Sequence, residues 1–277
     1  MRAKFIIIFR LSEMNTMNSE NQLGLDIVEC CRRVYAGGFV ASNDGNLSVR
    51  LGNDRFLATP AGKSKGFVRL EDLVVVDSKG RVVEGLLNAT SEIEMHLTIY
   101  RERPDVRAVV HAHPIHATGF ATANIELSDC VLAEIVTTLG SIPLAKYATP
   151  STNELSNSIR EVIRRADAVL LANHGVVTCG KDIYDAFFKM ERVEHYAHIL
   201  FVARLLGGEQ LLSKEQVEKL EAIRPTYGTD SSTNPGCRVC GGDCVGADCS
   251  LYQDGSLQSS NTVQDLIRDV ISKMKPI

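Results

Sequence analysis

Three histidines fall within six positions in "VVHAHPIH", residues 109–116, directly behind a β-branched run. Side chains of an extended segment alternate between faces, so His111 and His113 project to the same side. Two imidazoles on one face suit two ligands of a single metal ion. A third histidine, His174, lies in "ANHGVV", where a strand that stops at Asn173-His174-Gly175 presents the ring at its exposed end. Three neutral imidazoles with one position open form a usual catalytic zinc arrangement. The same spacing also fits hydrogen-bonded bystanders at strand ends, because H-x-H is a common pattern of low specificity.

Groups that could hold an anion stand nearby in the chain. "NDGNLSVR" and "TPAGKSKG" are glycine-containing loops, each beside a hairpin strand, and "NATSEIE" opens a helix. Backbone N–H groups at a helix start favour negative charge, and Lys63 and Lys65 offer positive charge. Ordinary turn chemistry explains each loop taken singly. Ser91 and Glu94 carry the spacing of a capping box.

These residues need elements to position them. "LGLDIVECCRRVYAGG" (23–38) reads as an amphipathic helix with Ile27, Cys31 and Val34 at helical spacing and Gly37-Gly38 as its stop. "NLSVRLGNDRFLAT" (46–59) and "LVVVDSKGRVVEG" (73–85) read as hairpins. A helix is expected over 90–104, with Pro104 past its end, and a strand over 106–113. A small-residue helix should follow to about Ala123. Strand, tight turn and strand are expected over 166–180, then a long helix over 182–207. His195 and His198 fall on its polar face, and His96 and His116 are not expected to touch metal. Intermixed strands and helices with hairpins dominant imply an α/β three-layer sandwich. Its central sheet would be mostly antiparallel or mixed and flanked by helices.

The chain has 277 residues, 44% hydrophobic and 23% charged, enough to bury a substantial core. A net charge of −4 gives no sign of nucleic-acid binding. "FIIIF" at 5–9 is too short for a membrane span or a convincing signal-peptide core. Met14 and Met17 are alternative starts, so residues 1–17 are set aside as disordered or a misassigned start. Without a secretory signal, Cys30, Cys31, Cys130 and Cys179 read as reduced core thiols.

The ordered set "GNLSVR", "TPAG", "TSEIEMH", "AVVHAHPIHAT", "YATPSTNELS" and "ANHGVVTCG" resembles the class II aldolase/adducin-head family, most of all its L-fuculose-phosphate-cleaving members. The resemblance covers roughly residues 23 to 228, within an expected domain of 18–228, and implies zinc held by His111, His113 and His174. It implies an acid/base role for Glu92, which can also ligate zinc when substrate is absent. Phosphate-binding positions match Gly45, Asn46, Gly62, Thr90 and Ser91. A catalytic tyrosine that reaches a neighbouring subunit's site matches Tyr227, implying a homotetramer with intersubunit sites. The implied activity is cleavage of L-fuculose 1-phosphate or L-rhamnulose 1-phosphate to dihydroxyacetone phosphate and lactaldehyde. Sister activities are a pentulose-phosphate 4-epimerase and a methylthioribulose-phosphate dehydratase; a non-catalytic adducin-like scaffold would lack the histidines. Two departures stand out. Ala61-Gly62 replaces the family's frequent Thr-Gly, and a second active-site tyrosine would fall near Leu132 and is not assigned.

Beyond Tyr227 the composition shifts to Gly, Ser, Asp and Cys. Residues 229–260 read as a flexible linker. Within it Cys237, Cys240, Cys244 and Cys249 form either a metal-binding or a redox-sensitive tract. Residues 261–277 read as an amphipathic helix with Val263, Leu266, Ile267, Val270, Ile271 and Met274 on one face. It resembles an encapsulation peptide, which implies shell proteins of a bacterial microcompartment as partners and a cytoplasmic location, inside such a compartment. The alternative is a helix that packs on its own oligomer.

Overall fold

A computed structural model describes residues 2–52 and 54–227, with side chains from Ser19 onward. The cysteine tract and the 261–277 segment lie outside the described residues, as does the 229–260 linker.

The first helix, α1 (Arg2–Ala36), starts well before the expected residue 23. No glycine or proline interrupts 2–22, so nothing local stops the helix there. Ile27, Cys31 and Val34 are fully buried, as their spacing requires. Two hairpins follow, β1 (Asn46–Gly52) with β2 (Arg55–Ala58), then β3 (Val74–Asp77) with β4 (Val82–Glu84). Next come α2 (Ile93–Glu102), β5 (Ala108–Ala112), α3 (Ile115–Thr122) and α4 (Ala133–Thr138). The remainder is β6 (Leu144–Ala145), α5 (Asn153–Ile163), β7 (Ala168–Leu171), β8 (Gly175–Gly180), α6 (Ile183–Leu205) and α7 (Lys214–Ile223).

The strands form one eight-stranded sheet in the order β4-β3-β2-β1-β5-β8-β7-β6. Every pairing is antiparallel except β6 with β7. Strand alternation divides the core in two. Ala108, Val110 and Ala112 of β5 pack with α1, α3 and α6 on one face, together with Leu170 and Val176. Val109 packs on the other face with Val169, Val177, Met95 and Ile99 of α2, and Ile159 of α5. The result is the expected α/β three-layer sandwich. Each fully buried Val, Leu or Ile in these layers stabilises the fold by roughly 1.5–3 kcal/mol.

The two faces are also tied together by charge. Arg103, just past α2, reaches Asp105 at 2.7 Å, Asp167 at 2.9 Å and the Ile163 carbonyl at 3.1 Å. Lys189 of α6 meets the other Asp167 oxygen at 2.8 Å. Arg103 is buried, so its hydrogen bonds carry the cost of removing a guanidinium from water.

Three expectations are corrected. The Ser91/Glu94 capping box does not form: α2 begins at Ile93, Ser91 Oγ accepts from Ser151 Oγ at 2.9 Å, and Glu94 pairs with Arg101. Lys63 and Lys65 are not free anion binders. Lys63 pairs with Asp72, and Lys65 is buried, donating to the carbonyls of Asn43 at 2.9 Å and Lys63 at 2.7 Å. Of the four scattered cysteines, Cys30, Cys31 and Cys179 are buried free thiols, and burial pushes Cys30 and Cys31 up to about 12. Cys130 is disulfide-bonded; it sits with Val136 and Val217 in a small cluster apart from the main core.

Candidate metal centre

The register of the central strands assembles the histidines. His111 lies opposite Val177 on β8 and Asn46 on β1. His113 follows β5, its backbone N–H held by the Phe39 carbonyl at 2.8 Å. His174 occupies the tight turn between β7 and β8, where Asn173 takes φ +54°. One ring nitrogen from each of His111, His113 and His174 lies within 4.8 Å of the other two. The sequence thus located a real convergence, although His174 is over sixty residues from the H-x-H pair.

Glu92 completes the cluster from the start of α2. Its Oε2 lies 3.3 Å from His111 Nε2 and its Oε1 lies 3.2 Å from His174 Nε2. Asn46 Nδ2 donates to Oε2 at 2.8 Å. The imidazole tautomers follow from the outer partners. A carbonyl oxygen can only accept, so the 2.8 Å contact of His111 Nδ1 with Val176 O places the proton on Nδ1. His113 Nδ1 faces Asp44 Oδ2 at 3.5 Å. Both rings therefore turn Nε2 inward, where the two nitrogens stand 3.1 Å apart.

Lone pairs that face one another need a shared positive charge. Glu92 Oε1 and His174 Nδ1 are buried without a hydrogen bond, since the 3.2 Å approach of His174 Nε2 to Oε1 is poorly aligned. Three imidazoles and a carboxylate, with outer partners fixing ring orientation, are a fitting donor set for a divalent cation of the zinc type. Electrostatics agree. Burial alone would raise the Glu92 carboxyl. The positive charge at His111 and the Asn46 amide that donates to Oε2 more than offset it, so the group stays well below the usual carboxylate range. Burial likewise opposes protonation of His111, but Glu92 and the Val176 carbonyl raise it overall. Burial, with His111 and His174 beside it, pushes His113 down to about 4.

The remaining site residues are placed as follows. Gly45 has φ +72°, and a methyl group there would lie 2.6 Å from Val40 Cγ1 and 2.9 Å from the His111 carbonyl, so only glycine fits. Asn46 turns its amide to Glu92 and His96, not outward. Gly62 (φ +70°) and Thr90 come together because Pro60 bridges Ala89 and Thr90 N–H bonds Thr59 O at 3.3 Å. Thr90 Oγ1 also accepts from the Glu92 N–H at 3.4 Å, while Ser91 is exposed. Tyr227 is exposed at the end of the described chain, and no hydrogen bond or ring contact joins it to the histidines. His116 stands apart: its Nδ1 meets Glu194 at 2.7 Å and its ring stacks on His198 at 3.9 Å. His195 is exposed on α6, as its polar-face position implies.

Two contributors escaped the sequence reading. Gly175 packs directly against His111 and His113. His96, set aside as a non-ligand, lies fully buried behind Asn46. Only the three-dimensional packing of α2 on β1 reveals the second, whereas a glycine directly after a candidate ligand was a signal for the first.

An α/β/α sandwich that brings three histidines together beside a carboxylate offers a site that could hold a metal ion. Residues 25–201 match the model of the class II aldolase and adducin N-terminal domain family. An L-fuculose phosphate aldolase of Methanococcus maripaludis is 34% identical over 177 residues, 64% of this chain and 95% of that relative. A 5-deoxy-D-ribulose 1-phosphate aldolase of Bacillus thuringiensis is 30% identical, over 73% of this chain and 95% of that relative. A 3-oxo-tetronate 4-phosphate decarboxylase of Haemophilus influenzae is 31% identical, over 70% and 94%. A solved L-fuculose 1-phosphate aldolase superposes with a TM-score of 0.68 at 30% identity, covering 73% of this chain and 95% of that one. The chain belongs to the class II aldolase and adducin N-terminal domain family, and it is an enzyme of the lyase type. No helix among the described residues is long and apolar enough to cross a membrane.

Proposed function

We propose that the chain is a zinc-dependent aldolase that cleaves a ketose 1-phosphate, L-fuculose 1-phosphate or L-rhamnulose 1-phosphate, to dihydroxyacetone phosphate and lactaldehyde. The carrying observation is the Glu92 carboxylate poised 3.2–3.3 Å from two imidazole nitrogens and steadied by Asn46. His111, His113 and His174 would hold the metal, with Glu92 as a fourth ligand until substrate arrives. A bound divalent cation supplies the Lewis acid that stabilises the negative charge left on the C2 and C3 oxygens as the C3–C4 bond opens. Ionised Glu92 removes the C3 proton in the synthetic direction, and by microscopic reversibility returns it during cleavage. Tyr227 of a neighbouring copy in a homotetramer would protonate the aldehyde-side oxygen in the synthetic direction, and in cleavage its phenolate would take the C4 hydroxyl proton as the aldehyde forms.

The phosphate would rest on the Gly62 turn and the Thr90-Ser91 segment, where N–H groups and hydroxyls collect beside Glu92. Asn46 and Gly45 would shape the loop next to it. The names of the relatives support a phosphorylated sugar or sugar-acid substrate. The test is a panel of ketose 1-phosphates offered to purified protein with and without chelator, with dihydroxyacetone phosphate release measured. Metal-dependent release from the six-carbon substrates is expected; no release from any of them overturns the reading.

A further inference from the structure

Behind Glu92, away from the histidines, buried polar side chains run in file between β1 and α2. Asn46 Nδ2 meets Glu92 Oε2 at 2.8 Å, and Asn46 Oδ1 meets His96 Nε2 at 2.6 Å. His96 Nδ1 lies 2.7 Å from Ser48 Oγ, which lies 2.8 Å from the Tyr100 hydroxyl. All four residues are at most 3% exposed. The local origin is simple. Asn46 and Ser48 alternate on a strand and share its face. His96 and Tyr100 are four apart on a helix and share its face. Packing one face on the other closes the file.

The direction of every bond is fixed from one end. A carboxylate only accepts, so the Asn46 NH₂ donates to Glu92 and Oδ1 is left to accept. His96 must then carry its proton on Nε2. Burial pushes this ring down to about 3, so it is neutral and Nδ1 is a bare acceptor. The Ser48 hydroxyl donates to it, and Tyr100 O–H donates to Ser48. Reversing any one member would set two donors or two acceptors face to face in a buried space.

We propose that His96 is a positioning residue for the metal centre: backed by Ser48 and Tyr100, it turns the Asn46 amide toward Glu92 and so aims the carboxylate at His111 and His174. This rests on the reading of the histidine cluster as a cation site. Partners behind a ligand usually carry about 10–100-fold in metal affinity.

The test uses the full chain stripped of metal, with Zn²⁺ alone as probe and a competing chromogenic chelator as the readout. Thermal melting of each metal-free variant checks folding. His96→Leu is expected to bind Zn²⁺ at least about tenfold more weakly. His96→Gln, whose side-chain N–H can reach Asn46 Oδ1, is expected to recover most of that loss. Should His96→Leu fail to fold, Ser48→Ala carries the test, with weakened Zn²⁺ binding expected because His96 loses the donor that holds its Nδ1 and with it the orientation of the ring. Folded His96→Leu with wild-type affinity overturns the proposal. So does His96→Gln no better than His96→Leu, or Ser48→Ala with wild-type affinity where it carries the test. A wild-type chain that takes up no Zn²⁺ overturns the metal-centre reading itself.

Discussion

Gly175→Ala should damage both the fold and the metal centre, and the structure sets the size of the effect. Gly175 opens β8 beside the end of β5. A methyl group there would lie 2.5 Å from His113 Cδ2, 2.6 Å from the Ala112 carbonyl oxygen and 3.4 Å from His111 Cε1. Against an ordinary contact of 3.4 Å or more, the first two fall short by 0.9 and 0.8 Å. The carbonyl belongs to a central strand and cannot retreat without opening the ladder to β8. The His113 ring can swing away, but only by leaving the cluster. Overpacking of a filled interior costs about 1–3 kcal/mol, and an immovable backbone neighbour places this case at the upper end, about 2–3 kcal/mol. For a domain of this size that is a fall in melting temperature of roughly 5–10 °C. Displacement of His113 should also weaken Zn²⁺ binding about tenfold or more. Gly119→Ala is the matched control, since a methyl group there touches nothing and the site is helical. It should hold or slightly raise stability. Differential scanning calorimetry and Zn²⁺ titration of both variants decide the matter. Gly175→Ala melting within 2 °C of the parent (about 1 kcal/mol or less) with unchanged Zn²⁺ affinity would refute the packing argument.

Other perturbations follow from the same geometry. Glu92→Gln keeps the shape but removes the proton acceptor, so turnover in the dihydroxyacetone phosphate assay should fall by about 10²–10⁴; full activity would exclude Glu92 as the acid/base. Asp167→Ala leaves Arg103 with Asp105 and the Ile163 carbonyl and Lys189 with Asp185, and should lower unfolding stability in denaturant titration by about 1.5–3 kcal/mol for the lost charged hydrogen bonds, whereas a loss below about 1 kcal/mol would show the Asp167 link to be dispensable. His96 is held at about 3 in the folded chain against 6.5 when unfolded, so the unfolded state binds the extra proton. Stability of the metal-free chain should therefore fall as pH drops from about 6.5 toward 3, by an upper figure of about 5 kcal/mol. Chemical denaturation across that range should show the slope shrinking in His96→Gln, and an unchanged slope would contradict the assignment.

Much of the centre was legible because its rules are local. Alternation in a strand pairs His111 with His113, and a tight turn after β7 exposes His174. The hairpins and α6 followed from turn residues and periodicity. What escaped was set by packing between distant segments. Asn46 looks like a loop residue until β1 lies against α2, where its amide is claimed by Glu92 and His96. Lys65 reads as a surface charge until the loops close over it and use it to bind their own carbonyls. Ser91 and Glu94 match a capping box by spacing, yet Ser151, sixty residues on, takes the serine. Tyr227 carries a role only by family resemblance, because its proposed site belongs to another copy of the chain.

The central claim is that a divalent cation on His111, His113 and His174 makes this chain cleave a ketose 1-phosphate. The most direct measurement is release of dihydroxyacetone phosphate from L-fuculose 1-phosphate by the chelator-treated protein, before and after adding Zn²⁺, alongside His113→Ala. Silence without metal, restoration with Zn²⁺ and no restoration in the variant are expected. Equal release with and without metal, or full Zn²⁺-restored activity in His113→Ala, would contradict it.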